Sequence, residues 1–253
     1  DGRVERVTSR DADGHTEPHA ADVVFSTMPV RELVRALDTK PDPDVLAIAE
    51  GLPYRDFLTV GLLLKDLRLK ESTPAGPQLV RDNWIYIQEP DVQVGRLQIF
   101  NNWSPSMVAD PSQVWVGLEY FCNEGDALWN SSDEALEALA REELARIDII
   151  EPDAVLDAVV VRQEKAYPAY FGTYADFGRL RTWLDGFDNL LLVGRNGMHK
   201  YNNQDHSMLT AMTAVDNLVA GVTDHASLWA VNTEDDYHEE GQLPAQRSAA
   251  AAS

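Results

Sequence analysis

The stretch Asn189 to Met208 gathers residue types suited to holding a charged or electron-rich ligand. Leu190 to Val193 is a short apolar run closed by Gly194, which reads as a buried strand. Arg195 follows directly, and its planar fork of donors suits a phosphate or the edge of a polar ring; the alternative is a salt bridge closing a domain interface. From Asp205 the pattern turns helical, with Met208, Leu209, Met212, Val215, Leu218 and Val219 at helical spacing. Asn203 or Asp205 can cap that helix through a side-chain oxygen. Capping accounts for one polar residue there, not for Asn202, Asn203 and Gln204 in series. A helix start offers free N–H groups and partial positive charge, so the strand–loop–helix unit is built to receive an anion or an electron-rich oxygen.

Other residues could line a substrate site. Tyr167, Tyr170 and Tyr174 form an aromatic group beside Pro168, serving either as substrate contacts or as packed core rings. The same choice applies to Tyr201. Arg96 and Asn101-Asn102-Trp103 lie on or after a strand, where they line a polar pocket or simply form a turn. Glu119 interrupts an apolar strand, either as a buried carboxylate or as a residue facing water. The six histidines fall in no metal-ligand pattern, so no metal is expected. There is no G-x-S-x-G elbow, Walker loop or paired-carboxylate arrangement, and no catalytic residue is assigned.

The run Gly194-Arg195-x-Gly197-x-x-x-Tyr201-x-x-x-Asp205 resembles the C-terminal flavin motif of the FAD-dependent amine oxidase superfamily, which includes monoamine oxidases, protoporphyrinogen oxidases and UDP-galactopyranose mutases. The mutase pattern is closest in spacing, although it usually carries Asp-Met where this chain has Asn203-Gln204. The resemblance implies that Gly194, Arg195, Tyr201, Asn203, Gln204 and Asp205 contact FAD. The helix would then point at the pyrimidine edge of the flavin and stabilise negative charge on the reduced ring. It also implies that Tyr167, Tyr170, Asn102 and Arg96 face substrate. The implied reaction is transfer of hydride or electrons to flavin. The alternatives are a flavin-dependent sugar mutase, with a nucleotide sugar as its small-molecule partner, and a non-catalytic binding module.

The elements that must position these residues follow in order. Gly2 to Val7 and Ala20 to Ser26 alternate as strands around the turn at Asp11 to Gly14. Short helices are predicted at Val30 to Leu37 and Val45 to Leu52. Asp56 to Lys65 reads as an interior strand, since nearly all its residues are apolar. Strands at Trp84 to Gln88, Leu97 to Asn101 and Val114 to Phe121 have short connections, which imply antiparallel pairing. Ser131-x-x-Glu134 reads as a capping box opening a helix, Val155 to Gln163 as a strand, and Phe177 to Phe187 as a helix.

The fold class is therefore α/β (α+β): a mixed or antiparallel substrate-domain sheet with helices, plus the returning strand and helix of a Rossmann-like FAD domain. Expected boundaries are 1–37 for the end of the FAD domain, 38–187 for the substrate domain, 188–222 for the returning strand and helix, and 223–253 for an acidic tail. Residues 242–253 are expected to be disordered. The chain has no G-x-G-x-x-G loop to hold the FAD diphosphate, so it reads as the C-terminal portion of a longer flavoenzyme, binding FAD tightly only with the remaining part.

At 253 residues, 44% hydrophobic and 25% charged, the composition is that of a soluble globular protein. The net charge of −21 argues against nucleic acid or an anionic membrane as partner. No apolar run is long enough for a transmembrane helix, and no signal peptide opens the chain. Cys122 is the single cysteine, so there is no internal disulfide or cysteine zinc cluster. These features fit a cytoplasmic protein.

Overall fold

A computed structural model describes residues 2–232, so the tail expectation for 242–253 lies outside the described residues. The chain opens with a hairpin of β1 (Arg6–Arg10) and β2 (Thr16–Ala20), followed by β3 (Val24–Ser26). Next come α1 (Val30–Ala36) and α2 (Pro43–Glu50). Asp42 caps α2 by accepting the Asp44 and Val45 amides, and Pro43 fits the first turn because its missing N–H would have no helical partner. The long strand β4 (Tyr54–Leu64) leads to a tight hairpin of β5 (Lys70–Thr73) and β6 (Gly76–Leu79). Pro74 and Ala75 form the turn of that hairpin. Then follow β7 (Trp84–Tyr86), β8 (Arg96–Ile99), the short α3 (Phe100–Trp103) and β9 (Val114–Cys122).

The helix α4 (Asp133–Arg146) starts one residue later than the capping box implies: Ser132, not Ser131, accepts the Ala135 amide. Ser131 instead donates its hydroxyl to the Ala127 carbonyl. The chain continues through β10 (Val155–Pro168), α5 (Phe177–Leu184) and β11 (Leu190–Leu192). One turn, α6 (Gly194–Gly197), precedes α7 (Gln204–Ala220), and α8 (Ala226–Trp229) follows. Gly221 ends α7 with φ +70°, a conformation open to glycine. Among the described residues no helix is long and apolar enough to cross a membrane.

The chain divides into two compact units, residues 2–54 with 167–232, and residues 55–166. Segments 38–54 and 167–187, assigned from sequence to the substrate domain, therefore pack with the first unit. The reason is visible in its core, where Val45, Ile48 and Leu52 join Phe177, Leu180 and Leu184 against Leu190 to Val193.

The second unit is built on a five-stranded sheet in the order β10-β4-β9-β8-β7, so β4 is interior as its apolar sequence requires. The β4–β9, β9–β8 and β8–β7 pairs are antiparallel. Register sets Leu58 opposite Tyr120, Val60 opposite Leu118 and Leu62 opposite Val116, all on one face. Leu136, Ala140 and Leu144 of α4 join that face in one core. Glu143 of α4 is buried with them and accepts the Gln93 and Val94 amides and the Tyr120 hydroxyl.

Candidate functional site

In the first unit β11 pairs in parallel with β3, matching Leu190 to Val24, Leu191 to Phe25 and Leu192 to Ser26. The carboxyl ends of both strands therefore lie side by side. In open parallel sheets that end is where ligands bind. Val193 donates to the Ser26 carbonyl at 3.1 Å, and Gly194 turns the chain away with φ +78°. A Cβ on Gly197 would come within 2.4 Å of the Ser26 carbonyl oxygen, so α6 is pressed onto the end of β3 as only glycine permits.

The loop between β11 and α7 is held from inside. Thr210, fully buried on α7, accepts the Gly194 amide at 3.2 Å and donates to the Ser207 carbonyl at 2.9 Å. Asn202 is buried, donates to the Gly194 carbonyl, and accepts at 3.0 Å from Asn232. Asn232 also donates to the Tyr201 carbonyl, and Lys200 Nζ donates to the Asn232 carbonyl at 2.8 Å. His199 is buried at φ +47°. Burial in an aromatic surround of Tyr54, Tyr174 and Phe177 lowers its pKa to about 4.

Arg195 and three tyrosines form the polar mouth of this loop. The guanidinium carbon lies 5.0 Å from the Tyr167 ring centroid and 4.7 Å from that of Tyr201, and the two rings stack at 5.5 Å. Arg195 Nε donates to the Asn202 carbonyl at 2.9 Å and Nη2 to Asn203 Oδ1 at 3.4 Å. Tyr170 accepts the Tyr201 amide on its hydroxyl and stacks on Tyr174 at 4.6 Å. The alternatives left open by sequence meet here: the rings are packed on one another, yet Tyr170, Tyr201 and Arg195 remain partly exposed.

Asn203 occupies the N-cap of α7, but its side chain makes no capping bond. Nor does Asp205 cap the helix, which begins before it at Gln204. Asn203, Gln204 and Asp205 are exposed. The helix therefore presents its first-turn amides, and the positive end of its dipole, at the surface beside Arg195. Of the residues singled out from sequence for cofactor contact, Gly194, Arg195, Tyr201 and Asn203 thus lie between β11 and α7 while Gln204 and Asp205 open α7, with Tyr167 stacked on Tyr201 and Tyr170 bonded to its amide.

Arg96 and Asn102 belong to the second unit. The Arg96 guanidinium is buried and gripped by Glu119, with Nε 2.6 Å and Nη2 2.5 Å from Oε2. It lies 5.3 Å from the Trp84 ring centroid and 5.2 Å from that of Phe121. Glu119 is thus a buried carboxylate rather than one facing water, and Gln98 donates to its other oxygen. Asn102 spends its amide on the Val80 and Asp82 carbonyls, at 2.8 Å each, which is the work of a turn residue.

Sequence reasoning passed over His199, Thr210 and Asn232 as parts of the loop. A polar Thr210 in an otherwise apolar helical stretch was a usable signal; nothing in the sequence joins Asn232 to a loop thirty residues earlier. Burial, with Asp126 and Asp56 nearby, pushes the Cys122 thiol up to about 11, so it offers no thiolate at neutral pH. Asp11, Asp13 and His15 gather in the β1–β2 turn, all exposed, with Asp11 accepting the other two amides.

The FAD implied by the sequence motif can be tested against these residues. An uncapped helix end beside an arginine and the carboxyl ends of two parallel strands suits the polar edge of a flavin ring. The diphosphate would have to be held elsewhere, since the chain has no glycine-rich dinucleotide loop.

No protein-family model and no curated protein matches the chain. Among solved structures it is similar to a reduced UDP-galactopyranose mutase, with 21% identity and a TM-score of 0.68, over 91% of this chain and 49% of that one. It is also similar to a putative protoporphyrinogen oxidase from Exiguobacterium sp. 255-15, with 18% identity and a TM-score of 0.57, over 86% of this chain and 44% of that one. The chain thus spans about half the length of each of these structures. At these identities the likeness is one of fold, which the chain shares with about half of each of those two structures.

Proposed function

We propose that this chain is the substrate-domain and closing portion of a longer FAD-dependent oxidoreductase acting on a small molecule. The observation that carries the reading is the uncapped, exposed start of α7 at Asn203 to Asp205, set beside Arg195 where β3 and β11 end. Bound FAD would supply the redox chemistry, accepting a hydride or electrons from substrate. The α7 amides would face the pyrimidine edge of the ring and favour negative charge there. Arg195, fixed over Tyr167 and Tyr201, would orient the polar part of the ring or substrate. Tyr170 and Tyr174 would form an aromatic wall that excludes water from one side.

The test is the visible absorbance of the purified polypeptide. The 253-residue chain should carry no stoichiometric flavin, whereas a longer polypeptide including a dinucleotide loop should bind FAD one to one and be bleached by its substrate. Stoichiometric FAD on the short chain contradicts the reading that the cofactor's cradle is incomplete here.

A second reading is a flavin-dependent sugar mutase, favoured by the higher TM-score with the mutase structure. Arg195, Tyr167 and Tyr201 would then hold the diphosphate of a nucleotide sugar. Conversion of UDP-galactose only under dithionite, with no net redox change, decides for this reading. If an assembled protein binds no flavin, the non-catalytic binding module is what remains.

A further inference from the structure

Just past α8, the buried Asn232 is bonded to three consecutive residues of the loop between β11 and α7. Its side-chain amide donates to the Tyr201 carbonyl at 3.1 Å and to Asn202 Oδ1 at 3.0 Å, and its carbonyl accepts Lys200 Nζ at 2.8 Å. Residues 198–203 belong to no helix or strand, so this part of the loop takes its shape largely from side chains. Asn202 passes the restraint on. Its amide donates to the Gly194 carbonyl at 3.4 Å, and its own carbonyl accepts Arg195 Nε at 2.9 Å. The guanidinium over Tyr167 and Tyr201 is thus aimed by Asn202, and Asn202 by Asn232. Asn232 is placed in turn by α8, whose four residues are too few to hold a helix alone. Trp229 packs on Phe177 with centroids 5.9 Å apart, and the Arg181 guanidinium lies 4.6 Å from the Trp229 centroid. Asp185 accepts Trp229 Nε1 at 3.4 Å and lies 3.2 Å from His225 Nδ1, and Asn217 donates to Ser227 Oγ at 2.7 Å. These contacts fix α8 to α5 and to the last turn of α7.

We infer that Asn232 is a positioning residue for the proposed ligand site, the point at which α8 locks Arg195 and Tyr201 into the shape that receives an anionic or electron-rich group. The inference rests on the function proposed above for what the loop receives, and on the bonds alone for the lock. The chemistry of the side chain explains the choice of residue. A primary amide offers two N–H donors in one plane, and here each has its own acceptor on the loop. Aspartate has the same shape and offers neither. The loop's own main-chain bonds are local, Lys200 to the Arg195 carbonyl and Asn202 to that of Lys200, and tie it to nothing outside itself. A loop ordered before the ligand arrives spares binding the entropy of ordering it. Loss of the lock therefore weakens binding without deleting any group that meets the ligand.

The experiment compares the 253-residue chain with its Asn232→Asp and Asn232→Ala variants by hydrogen exchange and by titration with inorganic pyrophosphate. In both variants, exchange at the Lys200 and Tyr201 amides and at Arg195 Nε should speed up by about tenfold or more. The Val24 and Val193 amides, bonded between the β3 and β11 segments, should keep their rates. Pyrophosphate binding, followed through Arg195 Nε and the Gln204 to His206 amides, should weaken by about tenfold. Loop exchange that is unchanged, or that speeds up equally beside β3 and β11, would overturn the proposal. Should neither variant fold, the wild-type chain decides. In rising urea the Asn232 side-chain amide and the Tyr201 amide should exchange through one opening, with the same protection and the same denaturant slope. Separate openings would overturn the lock. The titration separates this inference from the function it rests on. A wild-type chain that binds no pyrophosphate, with loop exchange still dependent on Asn232, keeps the lock and sinks the anion site. Binding indifferent to Asn232 keeps the anion site and sinks the lock.

Discussion

The ring of His199 meets that of Tyr54 edge to face, with centroids 4.8 Å apart. Its Nε2 lies 3.3 Å from the Ala169 carbonyl and so carries the proton, which leaves Nδ1 an acceptor with no partner in a buried site. Burial holds the imidazole neutral, with a pKa of about 4 against the ordinary 6.5. Between these values the unfolded chain binds the proton and the folded one does not. Stability is therefore full above pH 6.5 and falls as pH drops towards about 4, by on the order of 3 kcal/mol. Urea midpoints at pH 7 and pH 5 measure the fall. His199→Asn tolerates the positive φ and should flatten the slope between those points, even though the smaller side chain lowers stability at both.

Arg195 contributes to loop order as much as to charge. Its stacking on Tyr167 and Tyr201 is worth roughly 0.5–2 kcal/mol. Arg195→Lys keeps the charge but loses the planar fork that reaches the Asn202 carbonyl and Asn203. Hydrogen exchange at the Tyr201 amide should speed up in this variant, while exchange in the β4–β9 pair stays unchanged.

The Arg96–Glu119 pair is buried on both sides, so removing one partner strands the other. Arg96→Met should cost about 3–5 kcal/mol in denaturant unfolding. Adding Glu119→Leu should recover most of that loss, because no uncompensated charge is left. A double variant no more stable than the single one would assign the cost to packing against Trp84 and Phe121 instead.

Gly197→Ala tests how tightly α6 sits on β3. The new methyl meets a backbone oxygen, which cannot swing aside as a flexible side chain would. A loss of about 1–3 kcal/mol is expected, together with a shift of the amide resonances of Ser26 and Thr27. Gly178→Ala, where nothing lies within 4 Å, serves as the neutral control.

Much of the fold could be read from apolar period alone. Interior β4 declared itself by its length and by the nearly unbroken apolar run from Phe57 to Leu64, and α5 by Phe177, Leu180 and Leu184. The strand–loop–helix frame of the site was legible from Leu190 to Val219. The rest needed coordinates for identifiable reasons. Ser131 and Ser132 are equally good caps by type, and the choice falls to the side chain whose backbone is extended where the helix begins. The unit boundary at Tyr54 crosses a single strand, so no linker marks it. Periodicity cannot tell which apolar stripe is buried, and in α7 the residues with the stronger pattern are the exposed ones. Asn202 looked like one of three surplus polar residues, yet it is the one that turns inward.

The Thr210 hydroxyl owns a single hydrogen, and that hydrogen is already given to Ser207. It can therefore only receive from Gly194 and has nothing to offer a newcomer. Thr210 is thus closed to any incoming group, and replacing it with valine would orphan the Gly194 amide without removing a donor that a newcomer could use.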